Sequence, residues 1–495
     1  MVASNDWVLY MWVLLIVYAA LILFFVVRGT LKVKSISDYA IGSIGFPSWV
    51  VGLSLAASMT SAATFIINPG FIAIYGFSGF ISFGLVMPLT IFISLIFFTK
   101  GFAKQGQVLK ATTMAQWIGS RYKSKNYAFF FGVIALLLIT FIVLINVGLT
   151  QVISKSLNVD PLYVLTGITI FVFGYMMFGG ANSMVYTNAV QAIIMFVVAI
   201  LLLSSGAHYF EGGIKVFMER LSNIDPNLAK STNTQSFLFR DYFEIIVVQI
   251  IIGVAIVCQP HIITKSLLLK NKSKVNSYLA SGIIFMIAFF LVVAVGFYAR
   301  LSFPDLTFNG TKLKMDEIIP TYVVTKFSVG LGMLIVVGLI SAGLSTLESL
   351  IQSLSITVTS DILLPVIKKK HLNAVLVNKL VIVVLAIVSF FLSWNQIKSP
   401  NVSVAIFAQN GVYGYFASAF VPVLFGVFLK DVSVRSVFTA SVMALIVHFG
   451  VYYGRITPYM QEPVNNPGVS AAIAIVVSLI VGYFFYRLDR KKVRV

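Results

Sequence analysis

Charge is what this sequence has least of. Only 10% of its 495 residues are Asp, Glu, Lys or Arg, against 59% apolar, and so little charge cannot coat a water-soluble globule of this length. Cysteine is nearly absent as well. Cys258 stands alone, which excludes an internal disulfide and a cysteine-based metal cluster. No low-complexity tract interrupts the chain. Catalytic acids and histidines do not cluster near a membrane surface, as a membrane-embedded enzyme such as a lipid-linked transferase would need. Repeated filter motifs and charge rings, the marks of a passive channel, are missing too.

What fills the chain is hydrocarbon. Thirteen apolar stretches are long enough to cross a bilayer, at about 7–28, 46–75, 77–99, 126–154, 160–179, 186–207, 241–264, 277–299, 327–360, 374–396, 402–429, 434–454 and 468–486. Numbered in this order they are spans 1 to 13, and they predict an all-α integral membrane protein forming a single transmembrane domain over 1–495. The first run is too long and wrongly flanked for a cleaved signal peptide, so span 1 is expected to remain.

The net charge of +19 would suit nucleic acid, but its distribution decides otherwise. The loops after spans 1, 3, 7, 9 and 11 and the C-terminal tail, counted with the span ends that flank them, hold 24 of the 35 Lys and Arg residues, from Arg28, Lys32 and Lys34 through Lys265, Lys270, Lys272, Lys274 and Lys368, Lys369, Lys370 to Arg487 and Arg494. Basic residues collect on the cytoplasmic side of membrane proteins. The N-terminus is therefore expected outside, the C-terminus in the cytoplasm, and the partner is a lipid bilayer with no role for nucleic acid.

Two spans are interrupted. Span 2 passes from a strong apolar start into Ala57-Ser58-Met59-Thr60-Ser61-Ala62-Ala63-Thr64 and then Asn68-Pro69-Gly70, and span 7 is broken by Gln259-Pro260-His261. Interrupted spans in matching positions of two halves point to an inverted-repeat transporter with a midplane site. The halves would be 46–207 and 241–430, five spans each, with an extra N-terminal helix in 1–45 and two extra C-terminal helices in 431–495.

Span 9 contains "LISAGLSTLESLIQ" (339–352), rich in polar groups where lipid is expected. Ala342, Ser345 and Thr346 stand at i, i+3 and i+4, one stripe of a helix, which Ser349 extends. Each hydroxyl alone is explained by a bond back to the carbonyl one turn earlier. Together, two adjacent hydroxyls and a carbonyl offer neutral oxygens that suit a hard monovalent cation and suit a transition metal poorly. Carbonyls freed by unwinding of span 2 near 57–61 would complete the shell, and sodium is the natural occupant. Neutral ligands leave the ion's charge uncancelled. A membrane potential of about 100 mV then contributes about 2.3 kcal/mol and a tenfold gradient about 1.4 kcal/mol, enough to accumulate a neutral solute roughly several-hundredfold.

From about 46 to 430 the chain resembles the sodium:solute symporter family. The segments that carry the likeness are "LSLAASMTSAATFIINPGFIAIYG", "TTMAQWIGSRY", "GGANSMVYTNAVQ", "QPHIITKSLLLKNKSK", "FPDLT" and "ISAGLSTLESLIQSLSITVTSDI". Within the family it is most similar to the pantothenate, proline and monocarboxylate transporters. The resemblance implies a sodium site between spans 2 and 9, formed by the backbone oxygens of Ala57, Thr60 and Ala342 and the hydroxyls of Ser345 and Thr346. It implies a substrate beside the opened part of span 2, where Met59, Ser61 and Thr64 face Gln259, although Ser61 and Thr64 equally satisfy their own helix and Gln259 equally caps a broken one.

Two residues depart from the family's pattern. Where the family commonly has Asp after Thr187, this chain has Asn188, which puts a second ion or a proton path in doubt. Glu348 is an acid well inside a span, where similar proteins carry a small or amide residue. It either restores a negative or proton-binding group lost at Asn188 or is a protonated structural acid. His448, without an acid or second histidine nearby, reads as a packed helix residue. Gln409 and Asn410 read as pathway or interhelical polar groups, and Lys368-Lys369-Lys370 as an orientation signal.

The reading is a sodium-coupled symporter taking up a small organic solute bearing a carboxylate (a monocarboxylate, a pantothenate-like acid or an amino or imino acid) across the bacterial inner membrane, with Na+ as coupling ion and no organic cofactor. Sugar or sialic-acid uptake and a proton-coupled version are the alternatives. In a Cys258→Ala background, a cysteine at Asn309 is expected to react with a membrane-impermeant maleimide on intact cells, and one at Asp431 only after permeabilisation. The reverse pattern would invert the topology.

Overall fold

The computed structural model describes residues 5–31, 33–269, 274–367, 373–399, 404–461 and 464–493. Lys32, Lys270, Lys272, Lys368, Lys369, Lys370 and Arg494 of the basic set lie outside the described residues. Helix dominates, because in hydrocarbon each backbone N–H and C=O must find its partner within the segment. Among the described residues, strand pairing is confined to a two-residue hairpin, Thr307–Phe308 against Thr311–Lys312, in the loop after span 8.

Among the described residues, ten helices are long and apolar enough to cross a membrane: Trp7–Thr30, Phe77–Gly106, Lys125–Leu157, Pro161–Ser204, Val275–Ser302, Val329–Ile367, Ala374–Lys398, Val404–Phe428, Val434–Gly454 and Pro467–Arg490. Two further units are bent pairs, Ser48–Met59 with Ala63–Tyr75 at 58° and Phe243–Cys258 with Pro260–Leu268 at 62°. The thirteen apolar stretches map onto these twelve units because one helix accounts for two of them. Pro161–Ser204 runs for 44 residues, about 66 Å if straight, twice the hydrocarbon thickness of about 30 Å. It turns at Gly180, whose backbone is non-helical (φ 62°, ψ −165°), so spans 5 and 6 are joined by a kink and no loop intervenes.

The two breaks have different local causes. At span 7 the residue before Pro260 is forced out of the helical region by the proline ring, and Gln259 sits at φ −76°, ψ 138°. At span 2 the proline lies too far on to be responsible. There Thr60 is extended (φ −111°, ψ 102°), and Ser61 gathers the next amides: its hydroxyl accepts from the Ala63 N–H at 3.1 Å and its carbonyl from Thr64 N–H at 2.9 Å and Phe65 N–H at 3.4 Å. Hydroxyls that compete for backbone donors in this way loosen a helix.

Two residues of the basic set have partners close by. Arg121 donates to the carbonyls of Gly426 and Leu429, and Arg435 lies 4.0 Å from Asp489. One lysine breaks the expectation. Lys265, assigned by sequence to a basic loop, is only 3% exposed, because the bend at Gln259 folds the Thr264–Leu268 turn back into the helix bundle.

Close helix approach relies on missing side chains. A Cβ on Gly52 of span 2 would lie 2.5 Å from the Tyr278 carbonyl of span 8. A Cβ on Gly180 would lie 2.8 Å from Tyr39, in a backbone region that is costly for any other residue. Gly180→Ala is therefore expected to destabilise the detergent-solubilised protein by about 1–3 kcal/mol, read as a lowered thermal-unfolding midpoint. An unchanged midpoint would mean that the kink relaxes freely.

Candidate functional site

The break in span 2 leaves carbonyls without helical donors. The Ala63 and Thr64 amides that would serve Met59 and Thr60 in a continuous helix turn to Ser61. Span 9 fills part of that gap. The Ser345 hydroxyl donates to the carbonyls of Ala57 at 2.8 Å and Ala342 at 3.1 Å, and the Thr346 hydroxyl approaches the carbonyls of Ser58 at 3.3 Å, Ala342 at 3.4 Å and Ala57 at 3.5 Å. Four of the five expected cation ligands thus share one cluster across two helices. Thr60, at the break itself, is buried, and its hydroxyl bonds back to the Ala56 carbonyl at 2.6 Å. All five offer neutral oxygen, the donor set that an alkali cation accepts.

Beside this cluster lies a cavity of about 110 Å³. Met59, Ser61, Thr64 and Gln259 all line it, as do Asn68, Phe141, His261 and Gln409, so the break of span 2 faces the break of span 7. Gln259 stands at the start of the second half-helix, where its backbone carbonyl accepts from Ile262 and Ile263 N–H; its side-chain Nε2 donates to the Ile256 carbonyl at 3.1 Å and its Oε1 is buried without a partner. His261 Nδ1 is unpartnered as well. None of the described lining residues is Asp, Glu, Lys or Arg. A second cavity of about 350 Å³ shares Ile67 with the first and reaches Tyr75, Gln151 and Glu317. At its rim Lys155 Nζ pairs with Glu317 Oε1 at 2.9 Å. Burial pushes the Glu317 carboxyl up, but the hydrogen bond from Lys155 and the Lys314 amide outweigh it and leave the group below its ordinary range.

Asn188 and Glu348 occupy separate networks. The Asn188 amide donates to the hydroxyls of Ser58 at 3.0 Å and of Ser54 and Ser349 at 3.3 Å, while its Oδ1 is buried with no partner. Glu348, fully buried, accepts from Tyr175 at 2.7 Å, Gln191 at 3.1 Å and Thr187 at 2.5 Å. His448 is a packed residue, bonded to the Asn410 carbonyl at 2.9 Å and the Ser470 hydroxyl at 3.1 Å. Sequence reading passed over Tyr175, Gln191, Ser54 and Lys265. The first two lie on the long kinked helix and face Glu348 only once it has folded, and Lys265 carried one usable signal, its place one turn after His261.

The sodium:solute symporter family model matches residues 39–446. A sodium/pantothenate symporter of Haemophilus influenzae is 25% identical over 349 residues, 69% of each chain, and one of Escherichia coli is 22% identical over 462 residues, 91% of this chain and 90% of that one. A sodium/sialic acid symporter of Proteus mirabilis is 22% identical and covers 88% of both. Among solved structures, the substrate-bound outward-open state of a Na+-coupled sialic acid symporter superposes with a TM-score of 0.75 at 20% identity, over 96% of this chain and 98% of that one. At that identity the likeness establishes the fold. The family match runs through both broken helices and every residue of the oxygen cluster, and the chain belongs to the sodium:solute symporter family.

Proposed function

We propose that this sodium-coupled symporter takes up a small organic solute bearing a carboxylate, with one sodium ion held by Ala57, Thr60, Ala342, Ser345 and Thr346 and the solute in the cavity against Met59, Ser61, Thr64 and Gln259. The observation that carries it is the pairing of an all-neutral oxygen cluster with an adjoining cavity that presents no charged side chain. A sodium ion on neutral oxygens is a buried, uncompensated charge. A carboxylate in the next cavity supplies the missing opposite charge, and at ~6 Å and an effective dielectric of ~20 the two attract by about 3 kcal/mol. Each then binds well only with the other present, which is the condition for coupled movement. Pantothenate and sialic acid, named for the relatives above, are both carboxylic acids.

By the distribution of the basic clusters, the loop after span 8, which carries Glu317 of the second cavity, is an outer one. With those clusters cytoplasmic, the protein sits in a bacterial plasma membrane with its N-terminus outside, and solute arrives from the Glu317 side. The inverted-repeat division at 46–207 and 241–430 is supported by the two bends of 58° and 62°, and rocking of one set of helices against the other would expose the site to each face in turn. The same ion site would serve a neutral solute, which is why solute charge is the quantity to measure.

In proteoliposomes an inward sodium gradient is expected to drive uphill uptake of monocarboxylates or pantothenate-like acids, with little response to an imposed membrane potential, because one cation and one monoanion move no net charge. Accumulation of neutral sugars alone, enhanced by a negative interior, would overturn the carboxylate assignment. Ser345→Ala and Thr346→Ala each remove one oxygen and are expected to raise the half-saturating sodium concentration roughly tenfold, the equivalent of about 1.4 kcal/mol. Thr346→Ser, which keeps the hydroxyl, should stay near wild type. Wild-type sodium dependence in both alanine variants would place the ion elsewhere.

A further inference from the structure

Lys265 is a buried lysine that the coupling scheme has not used. Its Nζ donates to the Ser54 hydroxyl at 2.7 Å and approaches Met184 Sδ at 3.9 Å. From Ser54 a continuous set of polar contacts leads to the cation cluster. Asn188 Nδ2 bridges Ser54, Ser58 and Ser349; Ser58 and Ser349 share a hydrogen bond of 2.7 Å; Ser349 donates to the Ser345 carbonyl at 2.8 Å; and the Ser58 carbonyl accepts from Thr346 at 3.3 Å. Lys265 also lines a small cavity with Met184, His261, Ser349 and Gln352, which adjoins the central cavity at His261.

A lone ammonium at membrane depth is expensive and is found paired or functional. Among the described residues Lys265 has no direct ion pair. The acid within the same polar core is Glu348, whose carboxylate is occupied by three neutral donors. The cation cluster therefore lies among three unlike influences: its own neutral oxygens, a carboxylate two residues from Thr346, and the Lys265 ammonium.

Resting on the sodium site proposed above, we infer that Lys265 is a fixed cation that offsets Glu348 and weakens sodium binding, so that the ion leaves readily toward the basic, cytoplasmic face. Two unit charges ~10 Å apart at an effective dielectric of ~20 change an affinity roughly ten- to twentyfold, enough to separate an ion that is released in each cycle from one that stays. Sodium departing past Ser349 meets the ammonium on its way, and the repulsion acts in the direction of release. The Asn188 Oδ1 beside these hydroxyls is unpartnered and offers a neutral oxygen to a cation between the cluster and Lys265, where the repulsion is greatest.

The test is sodium-dependent thermal stabilisation of the full-length protein in detergent, which reads ion affinity without transport. Lys265→Gln is expected to lower the sodium concentration for half-maximal stabilisation roughly tenfold, and Lys265→Arg, which keeps the charge, to match wild type. Reconstituted Lys265→Gln should show slowed net uptake with solute exchange retained when sodium is present on both sides, because only the release step is affected. Lys265→Met provides the same loss of charge should the glutamine variant fail to fold, and the paired Lys265→Gln, Glu348→Gln variant, which removes both charges, is expected to return toward wild-type sodium affinity. An unchanged or higher sodium midpoint in Lys265→Gln or Lys265→Met, with Ser345→Ala still weakening binding, would overturn the role of Lys265 and leave the ion site standing. Loss of any Ser345→Ala effect would instead remove the ion site itself.

Discussion

The structure turns on a handful of backbone amides that bond to Ser61 where helix geometry would send them four residues back. Once Ser61 has captured the N–H groups of Ala63 and Thr64 and Thr60 has turned extended, span 2 cannot be a continuous rod, and the carbonyls ahead of the break need other partners. In a bilayer there is no water to supply them. The hydroxyls of Ser345 and Thr346 come from the next helix to meet the Ala57 carbonyl, and the same arrangement that stabilises a broken helix is a cage of neutral oxygens for a small cation. Stability and coupling therefore draw on the same atoms.

The second break makes the first one useful. Pro260 dictates an extended Gln259, and the two broken helices face each other across a cavity that carries amides, hydroxyls and an imidazole but no charge. Ion and solute, placed as proposed, would occupy neighbouring compartments, neither of which is lined by a charged side chain. Under the proposed scheme the charges that matter are those of the ligands themselves, with Lys265 and Glu348 as a fixed background. A protein that placed an acid among the ion's ligands would hold sodium whether or not solute was present, and coupling would weaken.

Buried polar groups are concentrated around this region for the same reason. Glu348, Tyr175, Thr187 and Gln191 satisfy one another, as do Asn188, Ser54, Ser58 and Ser349. Such networks fix the relative position of spans 2, 6 and 9 more narrowly than apolar packing does, because a displaced hydroxyl leaves its partner unsatisfied in low dielectric. Away from this core the helices meet through small residues, with Gly52 against the Tyr278 carbonyl as an example.

The sequence alone determined that this is a helical membrane protein, where its apolar stretches lie, which two are interrupted, and that Ala342, Ser345 and Thr346 form one stripe, because hydrophobic length, proline placement and the 3.6-residue period are local properties. It did not reveal that spans 5 and 6 are one helix kinked at Gly180, since a single positive φ has no signature beyond the glycine itself. Nor did it show that Lys265 is buried, because a lysine after an apolar run reads as a loop residue until a bend folds it inward. Which hydroxyl meets which carbonyl, that Met59, Ser61, Thr64 and Gln259 share one cavity, and that Tyr175 and Gln191 hold Glu348 were decided only by tertiary structure. Those hydrogen bonds between helices join residues 157 to 289 positions apart, and no local pattern encodes a distance between helices.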